Sequence, residues 1–512
     1  MILAGWSQDT QPRILQVCFS YCEGAASLPT LQPRQFALPL PVMGRYKIRG
    51  CIPAKRSRFM KYAVKLSLVL FVCVFSLQQL PAQTRNVRVN YKETTLKNGL
   101  RVITVEDHTA PVVSTAVTYN VGSRDEHKGH TGYAHLFEHM MFKGSENVGA
   151  GEHPVLIRNN GGNDNASTSE DRTNYFEALP ANQLELALFL ESDRMRSLAV
   201  TKDNLDNERH NVQEERRQRV DNQPYGKSGE LQQEMLYDNF AYKHSVIGSM
   251  EDLNAASVDD IKDFFRIYYA PNNAVLVLVG DFKTSDALAK VRKYFESIPR
   301  QPDPPPVDQT EPEQKAEKRA TVSDQLARAT QVAIAYKTVP GNTPDFYALQ
   351  VLSAALQGGQ SSRLYQKLVR DKEMVTSVGG FNAESRGPGA VYITATLRPN
   401  SKTDAVESTI YDEIQRLKTE PIADWELQKA KSATRRSFLQ NAQRSLSSAI
   451  TIGQYAIYYS EPGLINTRLD KVGAVTKADV QRVANKYLTK ENRVVVITTP
   501  SGGRGAAGNV GQ

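Results

Sequence analysis

At 512 residues the chain is long enough for about two to four ordinary domains and a sizeable core. Its 40% hydrophobic, 23% charged and 8% aromatic residues are those of a soluble globular protein and exclude a disordered or membrane-embedded one. The formal net charge of +8 invites a nucleic-acid partner, yet it lies wholly upstream: residues 1–59 carry eight Lys/Arg against Asp9 and Glu23, and Lys61 and Lys65 supply the rest. Everything after residue 82 is formally neutral, so no nucleic-acid binding is expected.

From Met60 the sequence reads "MKYAVKLSLVLFVCVFSLQQLPAQ": a short basic start, a mostly apolar run from Leu66 to Leu77, then a polar stretch reaching Ala82. This is the construction of a secretory signal peptide, with an apolar run too short for a stable membrane span. Leu80 makes the cleavage site imperfect, and an uncleaved membrane anchor is the alternative. Signals of this kind begin near the N-terminus, so translation is expected to start at Met60, with residues 1–59 a non-native upstream extension. The rival is an Arg-rich organellar transit peptide, against which Pro12, Pro29, Pro33, Pro39, Pro41 and Pro53 speak. All four cysteines (Cys18, Cys22, Cys51, Cys73) precede residue 74. The remaining chain therefore has no disulfide, thiolate nucleophile or cysteine metal ligand, which suits an oxidising compartment. The expected location is secreted or periplasmic.

The first domain is expected over residues 85–298. "TTLKNGLRVITVED" reads as a hairpin turning at Asn98-Gly99, and "PVVSTAVTYNVGS" as a further strand. Next comes "GYAHLFEHMMFKG" (132–144). On a helix, His135 and His139 lie one turn apart on one face and can point at one ion, with Glu138 beside that face. Two imidazoles leave zinc short of ligands; a catalytic site needs a third protein ligand and an open position for water. The metal acidifies that water and a nearby carboxylate takes its proton, which makes Glu138 the candidate base. The alternative is a surface helix with two solvated histidines. Against it, Leu136, Phe137, Met140, Met141 and Phe142 bury one side, and buried histidines need partners.

"NASTSEDRTNYFEALP" (165–180) alternates and ends in proline, and long helical patterns follow at 181–197 and 201–219. In the second pattern Glu208 and Glu215 share a face, with Glu214 about 100° away. Read alone this is a solvated charged helix, and the third ligand stays open between an acid and another histidine. His108, His127, His130, His153, His210 and His244 show no zinc-type pairing and read as surface or core. Tyr175 and Phe176 read as core and Arg363 as structural.

"VDDIKDFFRIYYAPNNAVLVLVGDF" (258–282) resembles "KADVQRVANKYLTKENRVVVITTP" (477–500) at a constant offset of 219. Each copy offers Ser/Thr at the helix N-cap (Ser257, Thr476), a helix, a short turn and a β-branched strand. Two domains of one ancestral fold follow. Between them, residues 299–320 read as an exposed linker stiffened by Pro302, Pro304, Pro305 and Pro306. The second domain is expected over 321–500, with a flexible Gly-rich tail at 501–512. Strands mixed with long helices in two copies give an α+β class, that is, two homologous mixed α/β domains joined by a Pro-rich linker.

Four stretches resemble the pitrilysin/insulinase-type metallopeptidases with the inverted zinc motif, a family that includes the mitochondrial processing peptidase. They are "GYAHLFEHMMFKGS", "GGNDNASTSEDRTNYFEALP", "ERHNVQEE" and "LQGGQSSRLYQKLVRD" (356–371), and the match covers most of residues 88–500. The resemblance implies one Zn2+ per chain held by His135, His139 and Glu215, with Glu138 as general base and Glu208 holding the site in place. It implies that Asn165 and Ala166 lie on a strand edge to which a peptide substrate adds, a mode that tolerates many sequences. It implies Arg370 as one half of an Arg…Tyr substrate clamp, but Thr376 and Ser377 stand where the tyrosine is expected. The chain is also half of a full pitrilysin-type enzyme, so a homodimer or a heterodimer with a clamp-bearing family subunit is expected. No histidine follows His244, so the second domain is read as structural and substrate-positioning. The expected function is a zinc endopeptidase cutting unfolded peptides, and the rival is a non-catalytic structural subunit of a heteromeric complex.

Overall fold

The computed structural model describes residues 88–501, so the signal-type segment, the upstream extension, the cysteines and the tail beyond Ser501 lie outside the described residues. Strands β1 (Lys92–Thr95) and β2 (Arg101–Glu106) form the expected hairpin, with Gly99 at φ +92°. The Asn98 side chain ties that turn to the carbonyls of Phe295 and Ile298 at 2.8 and 3.0 Å. β3 (Val112–Tyr119) follows. The alternating stretch 165–180 divides into β4 (Asn163–Thr168) and β5 (Thr173–Pro180). The break falls at Ser169–Arg172, where the Arg172 guanidinium donates to the Ser167 carbonyl and hydroxyl and to Asn174 Oδ1. With β6 (Ala274–Gly280) these strands form a sheet in the order β1-β2-β6-β3-β5-β4, which leaves β4 at an edge.

The second half rebuilds five of these six strands in the same order, with no counterpart of β1 among the described residues. β7 (Lys318–Asp324), β8 (Gln331–Lys337), β9 (Val375–Asn382), β10 (Ala390–Leu397) and β11 (Arg493–Pro500) run in the order β7-β11-β8-β10-β9. β6 is parallel to β2 and antiparallel to β3, as β11 is parallel to β7 and antiparallel to β8. The caps repeat as well. Ser257 with Asp260, and Thr476 with Asp479, form capping boxes, and Asn273 and Asn492 each donate to the carbonyl of a tyrosine at the helix end, Tyr268 and Tyr487.

Two features differ from the sequence reading. β7 starts at Lys318, inside the stretch read as linker, because Val494 of β11 extends the parallel pairing to that residue. The linker is strapped down rather than free. Glu311, nearly buried, pairs with Lys337 Nζ at 2.5 Å and accepts the backbone N–H of Asp238 and Asn239, while Gln314 donates to the carbonyls of Glu491 and Arg493.

The halves also exchange a helix. The helix Ser445–Tyr459 packs across the first sheet, where Ala449, Ile452, Tyr455 and Ala456 meet Ile103, Ala116, Val275 and Val277. The approach is close: a Cβ on Gly453 would fall 2.5 Å from Thr118 Oγ1. Its counterpart one repeat earlier, Gly226–Leu236, packs on the second sheet through Leu236 against Ala335 and Val494. The other face of the first sheet carries the helices that build the site: α1 (Tyr133–Met140), and α2 (Lys202–Arg216), capped by Thr201 and continuing as a π-helical turn over Arg217–Asp221. Among the described residues no helix is long and apolar enough to cross a membrane.

Candidate metal centre

α1 starts without a side-chain cap of its own. Its N-cap is Gly132 at φ +88°, where a Cβ would fall 2.6 Å from the Ile247 carbonyl oxygen. The buried Glu126 carboxylate takes over, accepting the N–H groups of Gly132 and Ala134 at 2.9 and 2.8 Å. His244 Nε2 lies 2.9 Å from Glu126, and its Nδ1 lies 2.8 Å from the Phe240 carbonyl. Burial works against a charged His244 ring, but Glu126 outweighs it and raises the pKa. Sequence reading left His244 as a lone surface or core histidine; only the fold brings it under α1.

α2 packs against α1 and places two glutamates against the two histidines. His139 Nε2 and His135 Nε2 lie 3.2 and 3.7 Å from Glu215 Oε2. Glu208, fully buried, approaches His139 Nδ1 at 3.1 Å and is itself held by Lys143 at 2.6 Å and Asn211 at 2.8 Å. With Nδ1–H directed at Glu208, Nε2 is the atom that faces Glu215 and that would give up its proton to take a metal. Glu214 points away and pairs with Arg217. One nitrogen of each histidine and one oxygen of Glu215 lie within 4.8 Å of one another. His135 Nδ1 is buried without a hydrogen-bond partner, and its Nε2 stands beyond hydrogen-bond length from Glu215. Two imidazole Nε2 atoms and a carboxylate converging in this way, with His135 Nε2 too far from Glu215 to bond it, fit a tetrahedral zinc ion.

The electrostatics suit such an ion. Burial, reinforced by His139, pushes His135 down to about 4, so its ring is neutral. Burial opposes charge on His139 too, but Glu208 and Glu215 overcome it and pull the ring up to about 9. Burial likewise works against the charged forms of Glu208 and Glu215, yet His139 and their other cationic neighbours hold both below the usual carboxylate range. Glu138 shifts the other way. Burial raises it, and the Thr168 hydroxyl, which donates to Oε2, offsets only part.

These groups open on a cleft of about 670 Å3 that is also lined by Asn165–Thr168 of the edge strand β4, by Arg219 and Val220, and by Ser245–Ile247. Asn165 and Ala166 thus stand in the same cleft as the histidines, with Asn165 Oδ1 accepting the Ala166 N–H at 2.8 Å. Arg370 is not among the lining residues; it lies exposed on a π-helical turn, Tyr365–Asp371, of the second half. Thr168, Arg219 and Ser245–Ile247 carried no signal in the sequence.

His153, read as surface or core, is core, but with company. It lies with Glu177 and Glu191 in a second group of metal-capable side chains, all buried. Here Arg194 already supplies the positive charge, paired to Glu191 and stacked over Tyr175. Burial drives Glu177 up to about 7 and His153 down to about 3, so the cluster balances without an ion. Tyr175 is core as expected, and Arg363 is structural, paired with Glu426 at 2.7 Å.

Family profiles match both halves: insulinase (peptidase family M16) over residues 101–249, and the peptidase M16 inactive domain over 255–434. Zinc protease PqqE of Helicobacter pylori is 32% identical over 421 residues, which covers 80% of this chain and 93% of that protein. The crystal structure of a protease from Helicobacter pylori superposes with a TM-score of 0.77 at 31% identity, over 81% of this chain and 100% of that one. The periplasmic protease PqqL from Escherichia coli shares the fold at 18% identity and a TM-score of 0.65, with 81% of this chain matching 48% of that one.

Proposed function

The chain belongs to the insulinase family of peptidases, M16, and on that premise we propose that it is a zinc-dependent endopeptidase of unfolded peptides. The observation that carries this reading is the convergence of His135, His139 and Glu215 within 4.8 Å, beside a buried glutamate that is not part of the set. These three residues would hold one Zn2+ per chain, and Glu208 keeps the His139 ring in its ligating orientation. Zinc, when bound, supplies Lewis acidity: it lowers the pKa of a water and polarises a peptide carbonyl. Thr168 occupies Oε2 of Glu138, so Oε1 is the atom that takes a proton and returns it to the leaving amine. The raised pKa of Glu138 makes its carboxylate a better base than a solvated one. The free edge of β4, with Asn165 and Ala166, offers main-chain hydrogen bonds to an extended peptide, which orders the backbone without demanding a sequence.

The active assembly is a homodimer or a heterodimer with a second family subunit. The cleft takes no residue from the second half, Arg370 stands apart from it, and Thr376 and Ser377 leave a clamp without its tyrosine. The shared fold of the Escherichia coli protease is about two such chains long. The neutral, cysteine-free chain behind a signal-type segment at 60–82 supports a secreted or periplasmic location.

The test is cleavage of an unstructured peptide by the zinc-loaded protein beside Glu138→Gln, with bound zinc measured in both. We expect both to hold zinc and the variant to lose ~10²–10⁴-fold in kcat/KM. A variant that cuts as well as the parent would sink the role of Glu138. Zinc without cleavage in the parent chain would favour a structural or partner-dependent subunit, which native mass of the complex would then identify.

A further inference from the structure

The cleft holds one charged group with no task in hydrolysis. Behind Arg216, α2 opens into the π-helical turn Arg217–Asp221, closed by an Asn222 N–H to Arg217 carbonyl bond of 2.7 Å. Such turns are wider than α-helix and commonly mark functional sites. This one is packed tightly from behind: a Cβ on Gly226 would fall 2.2 Å from the Val220 carbonyl oxygen. The turn therefore holds Arg219 and Val220 at the cleft instead of leaving them on a mobile loop.

Arg219 Nη1 meets Glu215 Oε1 at 2.7 Å, while Glu215 Oε2 faces the histidines. The carboxylate is 18% exposed, but the Arg219 side chain is 72% exposed. One edge of the guanidinium is thus taken, and its other N–H donors face open cleft. The remaining contributors from β4 and from Ser245–Ile247 carry no charge, and the carboxylate of Glu138 is engaged by Thr168. Strand addition along β4 reads backbone, and Val220, Val246 and Ile247 read only bulk. Discrimination by charge falls to Arg219, whose planar fork suits a carboxylate.

Resting on the endopeptidase reading, we propose that Arg219 determines specificity, selecting peptides that carry an acidic side chain next to the bond that is cut. If the Arg219–Glu215 pair served only to neutralise Glu215, substitution would alter zinc binding and leave charge preference untouched.

The experiment is a series of unstructured decapeptides in which Glu is moved through the positions flanking the cleaved bond, each beside its Gln isostere. kcat/KM is measured for each pair with zinc-loaded parent, Arg219→Gln, Arg219→Lys and Arg219→Glu. The ratio within one enzyme cancels any loss of zinc or of folded fraction. We expect the parent to favour Glu over Gln by ~10-fold at one position, the worth of one charge-assisted hydrogen bond. The ratio should fall to near one in Arg219→Gln, be partly kept in Arg219→Lys, and drop below one in Arg219→Glu. Equal cleavage of Glu and Gln peptides by the parent at every position overturns the inference and leaves the endopeptidase reading standing. A Glu preference that survives in Arg219→Gln also overturns it. Failure of the zinc-loaded dimeric assembly to cut any peptide overturns both.

Discussion

The two halves share a five-strand topology but differ in what they bury. Thr115 on β3 faces Glu177 on β5; the same register positions across β8 and β10 are Val332 and Ala395. In the first half the helix after the third strand is α1, with His135, Glu138 and His139. In the second half the corresponding helix is Pro344–Gln357, whose buried residues are mostly Phe346, Leu349, Val351, Leu352, Ala355 and Leu356. At these positions the scaffold therefore stands with an apolar filling. The polar interior of the first half is a departure from the cheaper solution, since buried polar groups cost free energy unless every one finds a partner. Those partners are present: Glu208 for His139, Glu126 for His244, Arg194 for Glu191. His135 Nδ1 is among the buried atoms left without one.

The strongest way to break the comparison is to separate its members. Residues 85–298 alone would leave the first sheet without Ser445–Tyr459, and 299–501 alone would leave the second without Gly226–Leu236. Neither is expected to melt cooperatively by circular dichroism, and mixing the two should restore a transition; a cooperative melt of either half alone would refute the mutual dependence. A smaller effect is expected where the polar filling supports the site. Glu208→Ala should weaken zinc affinity ~10–100-fold, measured by competition with a chelating dye, because His139 loses the acceptor that orients it. Unchanged affinity would show that packing alone orients the ring.

The smallest effect concerns Glu177, which Ala395 replaces in the other half. Burial raises its folded pKa to about 7, against 4.5 for the free group. As pH rises through that interval the unfolded chain ionises first, so this group's contribution to stability is present at low pH and is lost as pH climbs toward 7. His153, held down at about 3, acts in the opposite sense: stability is lost as pH falls from 6.5. Urea midpoints at several pH values between 4.5 and 7.5 should therefore slope differently in Glu177→Gln, with the fall toward pH 7 removed. Parallel profiles would mean that Glu177 is ionised throughout.

Much of the candidate site was legible because it is local. His135 and His139 share a face by helical spacing alone, and the turn at Asn98-Gly99, the N-caps Ser257 and Thr476 and the repeat at 219 are short-range or self-comparing signals. Periodicity also put Glu208 and Glu215 on one face. It does not say which neighbour that face meets, and without the family resemblance α2 read as solvated. What only the tertiary structure decided involves residues far apart in the chain. Thr168 reaches Glu138, Glu126 and His244 fasten the start of α1, and Arg219 comes to the cleft on a turn that no spacing rule marks as special. The exchange of Gly226–Leu236 and Ser445–Tyr459 was equally hidden, for one physical reason. An amphipathic pattern records that a face must be buried, whereas the surface that buries it is chosen by packing among segments that the local pattern cannot compare.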